Sequence, residues 1–158
     1  MIPDPSDASA ARSGSPLHQG IALEKVGGGE APDPWMDYSA VGTKELAGAL
    51  RQALSRFGYL NADDERAPYR LQAFLVDVRR PGVGGTMVAT SLILYKLTRA
   101  QDGRVLYDDV VTASATKSWS DAFVGAVRHR MVVEASIRAN IAEFLANLRS
   151  PDLQTRVR

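Results

Sequence analysis

Apolar and polar residues alternate along four segments of the chain, as they do in strands that bury one face. The first segment is GIALEKV, beginning at Gly20, and three longer ones are YRLQAFLVDVRR, TMVATSLILYKLTRA and RVLYDDVVTASATK. The longer segments are rich in the β-branched and aromatic residues that favour sheets. In the second segment the alternation predicts one face with Leu71, Ala73 and Leu75 and another with Phe74, Val76 and Val78. The pattern therefore predicts four strands.

The links between the last three strands are short. Asp102-Gly103 lies between two of the strand-like segments and is typical of a tight hairpin turn. The link RRPGVGGT is also short enough for an antiparallel connection, and its proline and glycines indicate a mobile tip. The last three strands are therefore expected to form an antiparallel meander.

Two other segments repeat apolar residues at helical spacing. One is expected to begin with Thr43 as its N-cap and to end at Gly58, where a left-handed C-terminal cap is wanted. The other is expected to run from an N-cap at Ser120 to about Leu148 and to stop at Ser150-Pro151. At about 100° per residue its apolar residues share one stripe: Phe123, Ala126, Val133, Ile137, Ile141, Phe144 and Leu148.

The predicted order is β-α-β-β-β-α. Two helices with apolar faces and a mainly antiparallel four-stranded sheet make a two-layer α+β sandwich, with both helices on one face of the sheet. We expect one such domain at residues 20–149. Residues 1–19 are poor in large apolar side chains and are expected to be a disordered linker, and residues 150–158 a C-terminal tail.

Composition narrows the classes of function. The 158-residue chain has 19 Lys and Arg against 18 Asp and Glu, so its formal charge is +1, and bulk charge does not favour a nucleic-acid partner. The absence of cysteine excludes thiolate nucleophiles and cysteine zinc sites. No stretch approaches the roughly 20 apolar residues of a membrane-spanning helix. We expect no cofactor, no metal and no catalytic residue.

The predicted C-terminal helix nevertheless gathers several polar side chains. His129 lacks a second imidazole at metal-binding spacing and is expected to be a partly exposed surface residue. Arg130 is expected to project into the apolar stripe, with Glu134 four residues later on the same side. Arg130 could extend its head to the sheet edge or pair with Glu134, or it could bind an anionic ligand or a partner carboxylate.

A basic rim is a further candidate surface. Arg79 and Arg80 precede the glycine-rich link between two strands. Together with Arg130 and Glu134 they are the residues expected to bind a partner or ligand, although a solvated turn is the commoner place for such arginines. The alternative is a small enzyme with a site near Arg130, Glu134 and Asn140, which would need convergent polar groups in a concave pocket.

The order of elements and four segments carry a resemblance to a known class. The segments KELAGALRQALSRFGYL, YRLQAFLVDV, LILYKLTRAQDGRVLYDDVVTASA and VEASIRANIAEFLANL resemble small bacterial cell-envelope lipoproteins. These include the lipopolysaccharide-assembly lipoprotein of the outer membrane and the auxiliary lipoproteins of ABC-type transport systems. The resemblance covers about residues 20–149 and carries over no functional residue.

The resemblance implies a non-enzymatic periplasmic domain that assists envelope assembly or transport. It would bind a protein partner or an amphipathic lipid through an exposed sheet face, an edge strand or the link at residues 79–86. Association with the outer membrane is expected only through an N-terminal lipid anchor that is missing from this sequence. A cytoplasmic protein-interaction domain of the same architecture is the remaining alternative.

Overall fold

A computed structural model describes residues 1–4, 10–29, 41–79, 86–118 and 125–157. Four strands form one sheet and lie side by side in chain order. The elements are β1 (Ile21–Gly28), α1 (Thr43–Arg56), β2 (Tyr69–Arg79), β3 (Met87–Arg99), β4 (Val105–Lys117), α2 (Gly125–Asn147) and α3 (Pro151–Arg156). The predicted order is confirmed, and α3 is an addition to it.

The sheet is mixed. β1 pairs in parallel with β2, because a helix connects the two strands and returns the chain to the same end of the sheet. β2 with β3 and β3 with β4 pair antiparallel. The prediction of a mainly antiparallel four-stranded sheet is therefore confirmed, with one parallel pair at its edge.

Both main helices lie on one face of the sheet, as predicted. α1 contacts β1, and α2 contacts β3 and β4. The alternation on β3 shows the reason most clearly, because every second residue is buried beneath the helix layer while the residues between them face away from it. The buried set is Met87, Ala89, Ser91, Ile93, Tyr95 and Leu97.

On β2 a bulge changes which residues are buried. Leu71, Ala73 and Leu75 face the core as predicted. The pairing with β3 shifts between Leu75 and Asp77, so one extra residue enters the strand and the alternation changes sides. Val78 is therefore buried, and its predicted place on the face of Phe74 and Val76 is wrong.

The predicted helix ends are partly right. Gly58 has φ +76°, the left-handed conformation expected after a helix, and the hairpin glycine Gly103 has φ +70°. Thr43 is not the N-cap. Gly42 occupies that position, and the Thr43 hydroxyl instead donates to the Gly28 carbonyl at 2.6 Å, which ties the start of α1 to the end of β1.

In α2 the buried stripe is confirmed at Val133, Ile137, Ile141, Phe144 and Leu148. The predicted N-cap, Ser120, and the Phe123 and Ala126 side chains lie outside the described residues. Ser150-Pro151 ends α2 as predicted and also starts α3. The Ser150 side chain accepts from the Leu153 amide at 3.4 Å, and proline is tolerated at the first helical position because no intrahelical bond needs its N–H.

Parts of both predicted tails pack on the core. Leu17 is fully buried, and the Ala11 amide donates to the Phe57 carbonyl at 2.8 Å. At the other end Leu153 and Val157 are buried, and the Tyr69 hydroxyl donates to the Val157 carbonyl at 2.9 Å. Composition averaged over a segment does not reveal such contacts, because one buried leucine can hold a polar segment in place.

We expect Leu17→Ala to lower the free energy of unfolding by about 2–5 kcal/mol, because it leaves a cavity in the core. Urea denaturation measures the change. Ser13→Ala is the matched control, since Ser13 is exposed in the same segment and its substitution should leave stability near that of the wild type. Equal stability of the two variants would show that residues 10–19 do not pack on the domain.

Candidate functional site

Arg130 lies on the surface, not in the apolar stripe. Its side chain is 65% exposed, and Nε contacts Glu134 Oε1 at 2.8 Å. Pairing with Glu134, one of the alternatives for Arg130, is therefore observed, whereas the expected position on the buried side is wrong. The hydrogen bond to Glu134 raises the pKa of the Arg130 guanidinium.

The buried face of α2 shifts around the helix, which explains this error. Among the described side chains in the first half of α2, the buried positions are Arg128, His129, Val132, Val133 and Ser136. An ideal helical wheel gives Arg130 the same angle as Leu148, but a helix that crosses a twisted sheet meets it through different sides along its length. His129 is consequently buried beside Val132, and its predicted exposure is wrong.

Asn140 occupies the middle of the interface between α2 and the sheet and is fully buried. Its Nδ2 donates to the carbonyls of Ser91 on β3 at 3.0 Å and Val111 on β4 at 2.7 Å. Its Oδ1 accepts from the Tyr95 hydroxyl at 3.0 Å. Since carbonyls only accept, the amide nitrogen must face the two strands, and every contact in the set is consistent with this orientation.

The Tyr95 hydroxyl remains protonated and able to donate. Burial raises its pKa well above the usual value of 10. Its ring stacks on Phe144 with centroids 4.0 Å apart, which fixes the position of the hydroxyl below Asn140. The polar residues at the centre of the domain therefore hold a helix on a sheet, and they are separated from the Arg130–Glu134 pair, which is exposed.

We expect Asn140→Ala to cost roughly 2–3 kcal/mol of unfolding free energy, because it leaves the buried Tyr95 hydroxyl without its acceptor. Tyr95→Phe removes only the donor and should cost about 1 kcal/mol. Thermal or urea unfolding of the two single variants and the double variant measures their coupling. Strictly additive losses would show that the two side chains do not interact.

The predicted basic rim is only partly described. Arg79 is exposed at the end of β2, and its Nε lies 3.5 Å from Asp77 Oδ2. Arg80 lies outside the described residues. The three predicted binding residues that the structure describes form two separate local ion pairs, Arg79 with Asp77 and Arg130 with Glu134. Their binding of a partner or ligand stays a prediction.

The face of the sheet opposite the helices is the larger feature. It carries exposed apolar side chains on three adjacent strands, and Phe74 is 51% exposed. Register places Phe74, Leu94 and Val110 side by side in one row across β2, β3 and β4. We call this surface the open face. Its largest exposed apolar residues are Phe74, Val76, Val88 and Val110.

A shallow depression of about 210 Å³ lies next to the Phe74 ring on the open face. Gly27 contributes to it by having no side chain, because a Cβ there would lie 3.0 Å from the ring. Lys96 stands at its edge and pairs with Asp108 at 3.8 Å. The depression is lined by Lys25, Gly27, Gln72, Ala73, Phe74, Leu94 and Lys96.

The open face could have been anticipated from the sequence. Alternation had already assigned Phe74 and Val76 to the second face of β2, and two helices stacked on one side leave that face uncovered.

In the part of the chain that the structure describes, no cluster of His, Asp or Glu is suited to hold a metal ion. Nor does any described helix have the length and apolar character needed to cross a membrane.

Comparison with known proteins identifies the fold. No protein-family model matches the sequence, and none of the curated proteins matches it significantly. The chain is similar to protein XCC0632 from Xanthomonas campestris, of family-model DUF330, with 16% identity over 92% of this chain and 91% of that one, and a TM-score of 0.55. It is also similar to hypothetical protein CT253 from Chlamydia trachomatis, with 9% identity over 81% and 99% and a TM-score of 0.50.

A minor lipoprotein from Acinetobacter baumannii matches with 17% identity over 80% of this chain and 94% of that one. Its TM-score of 0.41 is too low to carry an argument. At such identities the two better matches show a shared fold and nothing of function. The chain thus has a fold found in bacterial proteins, and the lipopolysaccharide-assembly or ABC-transport auxiliary type stays a prediction.

Proposed function

We propose that the chain is a non-enzymatic binding domain of the bacterial cell envelope, which uses the open face to bind a partner in envelope assembly or transport. The observation that carries this proposal is the row of Phe74, Leu94 and Val110, an apolar strip on a sheet face that no described element covers. Contiguous exposed apolar surface of this kind marks binding sites in soluble domains.

The shape of the depression favours a protein partner over an enclosed small ligand. Ligand pockets usually measure roughly 300–1,000 Å³ and surround most of their ligand. The depression at Phe74 is smaller, at about 210 Å³, and lies open on the sheet. It fits one apolar side chain of a partner, with Lys25 placed to meet an acidic neighbour. An amphipathic lipid is the second candidate. Its acyl chain is apolar like such a side chain, and its anionic head group carries the same charge as an acidic residue.

The arrangement of polar groups gives the enzyme alternative little support. Its three residues do not converge, because Arg130 and Glu134 pair on the exposed side of α2 and Asn140 is buried with its hydrogen bonds made within the fold. An active site needs convergent groups beside a cavity. The envelope location rests on the sequence resemblance to cell-envelope lipoproteins.

The partner can be sought with a photo-crosslinking residue, p-benzoylphenylalanine, placed at Phe74 in cells. Val127 is the matched control position, since it is 50% exposed and apolar but lies on α2. We expect a discrete protein adduct from position 74 that a second substitution, Leu94→Asp, removes, and no such adduct from position 127. The same adducts from both positions would contradict the proposal.

Once the partner is purified, Phe74→Ser should weaken its binding about 30-fold or more, as loss of a central aromatic contact does. Val127→Ser should leave binding unchanged. Calorimetric titration measures both. A pyrene-labelled fatty acid serves as the lipid probe. Saturable binding of this probe that Phe74→Ser abolishes, without a protein adduct in cells, would identify the lipid alternative as the correct one.

Fractionation tests the location independently. We expect the full-length gene product, expressed from its own gene, to be recovered with the cell envelope. Recovery in the cytoplasmic fraction would support the alternative of a cytoplasmic interaction domain, while leaving the binding role of the open face to be judged by the crosslinking result.

A further inference from the structure

β4 is an edge strand of unusual composition. It is the last strand of the sheet and pairs only with β3 among the described residues. From Val110 to Thr116 it reads VVTASAT, without a charge or a proline. Edge strands normally carry a charge, a proline or a bulge that discourages pairing with another chain. The other edge strand, β1, has Glu24 and Lys25 at a register shift, whereas this part of β4 has no such protection.

Alternate residues of β4 present their backbone groups to the free edge. The carbonyls of Val111 and Ala113 lie on the β3 side, where they accept from Asn140 Nδ2 at 2.7 Å and Ser91 Oγ at 3.4 Å. The Val110 amide instead donates to the neighbouring Asp109 Oδ1 at 2.8 Å. By the alternation of an antiparallel ladder, Thr112 and Ser114 also direct their N–H and C=O groups to the free edge.

Opposite charges stand at the two ends of the uncharged run. Asp109 precedes it and Lys117 follows it. Side chains eight residues apart in a strand lie on the same face, since the period is two. A strand with this order of charges is complementary to itself when two copies run antiparallel.

We propose that β4 pairs antiparallel with β4 of a second copy of this chain, about a two-fold axis at Ala113. In this register Asp109 of each copy faces Lys117 of the other, so this pair forms twice. Val111 of each copy likewise faces Ala115 of the other. The Val110 amide then donates to Thr116 of the second copy, which releases the Asp109 carboxylate to the lysine. The two four-stranded sheets become one continuous sheet, and the symmetry of the contact closes the assembly at two copies.

The charges select this register among its neighbours. A slip by one residue would bring opposite faces of the two strands together, and a slip by two would place Asp109 opposite Ala115 instead of Lys117. This inference is independent of the proposed function, because it concerns the edge of the sheet and not the open face.

Charge exchange tests the register, with sedimentation velocity of the whole chain over a range of concentrations as the measurement. We expect the wild type to be a dimer in reversible exchange with monomer. Asp109→Lys and Lys117→Asp each place like charges opposite one another twice, and each should weaken the dimer roughly tenfold or more. The double variant restores both pairs and should dimerise like the wild type.

Mixing the two single variants gives a sharper result. A heterodimer of Asp109→Lys with Lys117→Asp has two attractive pairs, so the mixture should dimerise although neither variant alone does so at the same concentration. A monomeric wild type at every concentration would overturn the proposal. A dimer that both single exchanges leave unchanged would overturn it as well.

A single cysteine tests the axis, because the chain has none of its own. Ala113→Cys should form a disulfide-linked dimer under mild oxidation, since two residues facing each other across the axis lie within disulfide reach. Thr112→Cys is the matched control, because position 112 faces 114 of the second copy and the two cysteines lie beyond that reach. Equal crosslinking at both positions, or crosslinking at 112 alone, would show that the register is wrong.

Discussion

The contact that the rest of the structure depends on is the docking of Asn140 on two strands. Its amide reaches carbonyls of both β3 and β4, and its oxygen receives the Tyr95 hydroxyl. A buried amide with all its partners present tolerates little sliding or rotation, because any displacement leaves a polar group unsatisfied. This contact sets the position of α2 along the sheet and the side that it buries. Because α2 buries that side, Arg130 is exposed and Glu134 is half-buried beside it.

With both helices on one side of an open sheet, two surfaces stay uncovered among the described residues. The opposite face keeps apolar residues exposed, among them Phe74 and Val110, and β4 remains an edge. No element among the described residues buries either surface. The two features suit different contacts, since the face offers apolar side chains and the edge offers backbone groups. Binding by the face and assembly by the edge can therefore operate together.

The residues that the sequence suggested as binding or catalytic candidates lie apart in the fold and have structural roles. Asn140 holds a helix, Arg130 and Glu134 form a surface ion pair, and Arg79 pairs with Asp77 at the end of a strand. None of these pairs lines the depression at Phe74. The proposed function is accordingly binding through an exposed surface. The similarity to proteins from Xanthomonas and Chlamydia extends to the fold alone.

Local periodicity determined much of this protein. The four strands, both long helices and the buried residues of β3 follow from patterns of two or 3.6 residues, which need no distant partner. The hairpin at Gly103 follows from an equally local signal, the Asp-Gly turn. The tertiary structure decided the rest. The bulge that buries Val78, the turned face of α2 that exposes Arg130 and buries His129, and the packing of Leu17 and Val157 all depend on neighbours far along the chain. Periodicity assumes an ideal strand or helix, whereas burial is settled by the twisted surface on which each element packs.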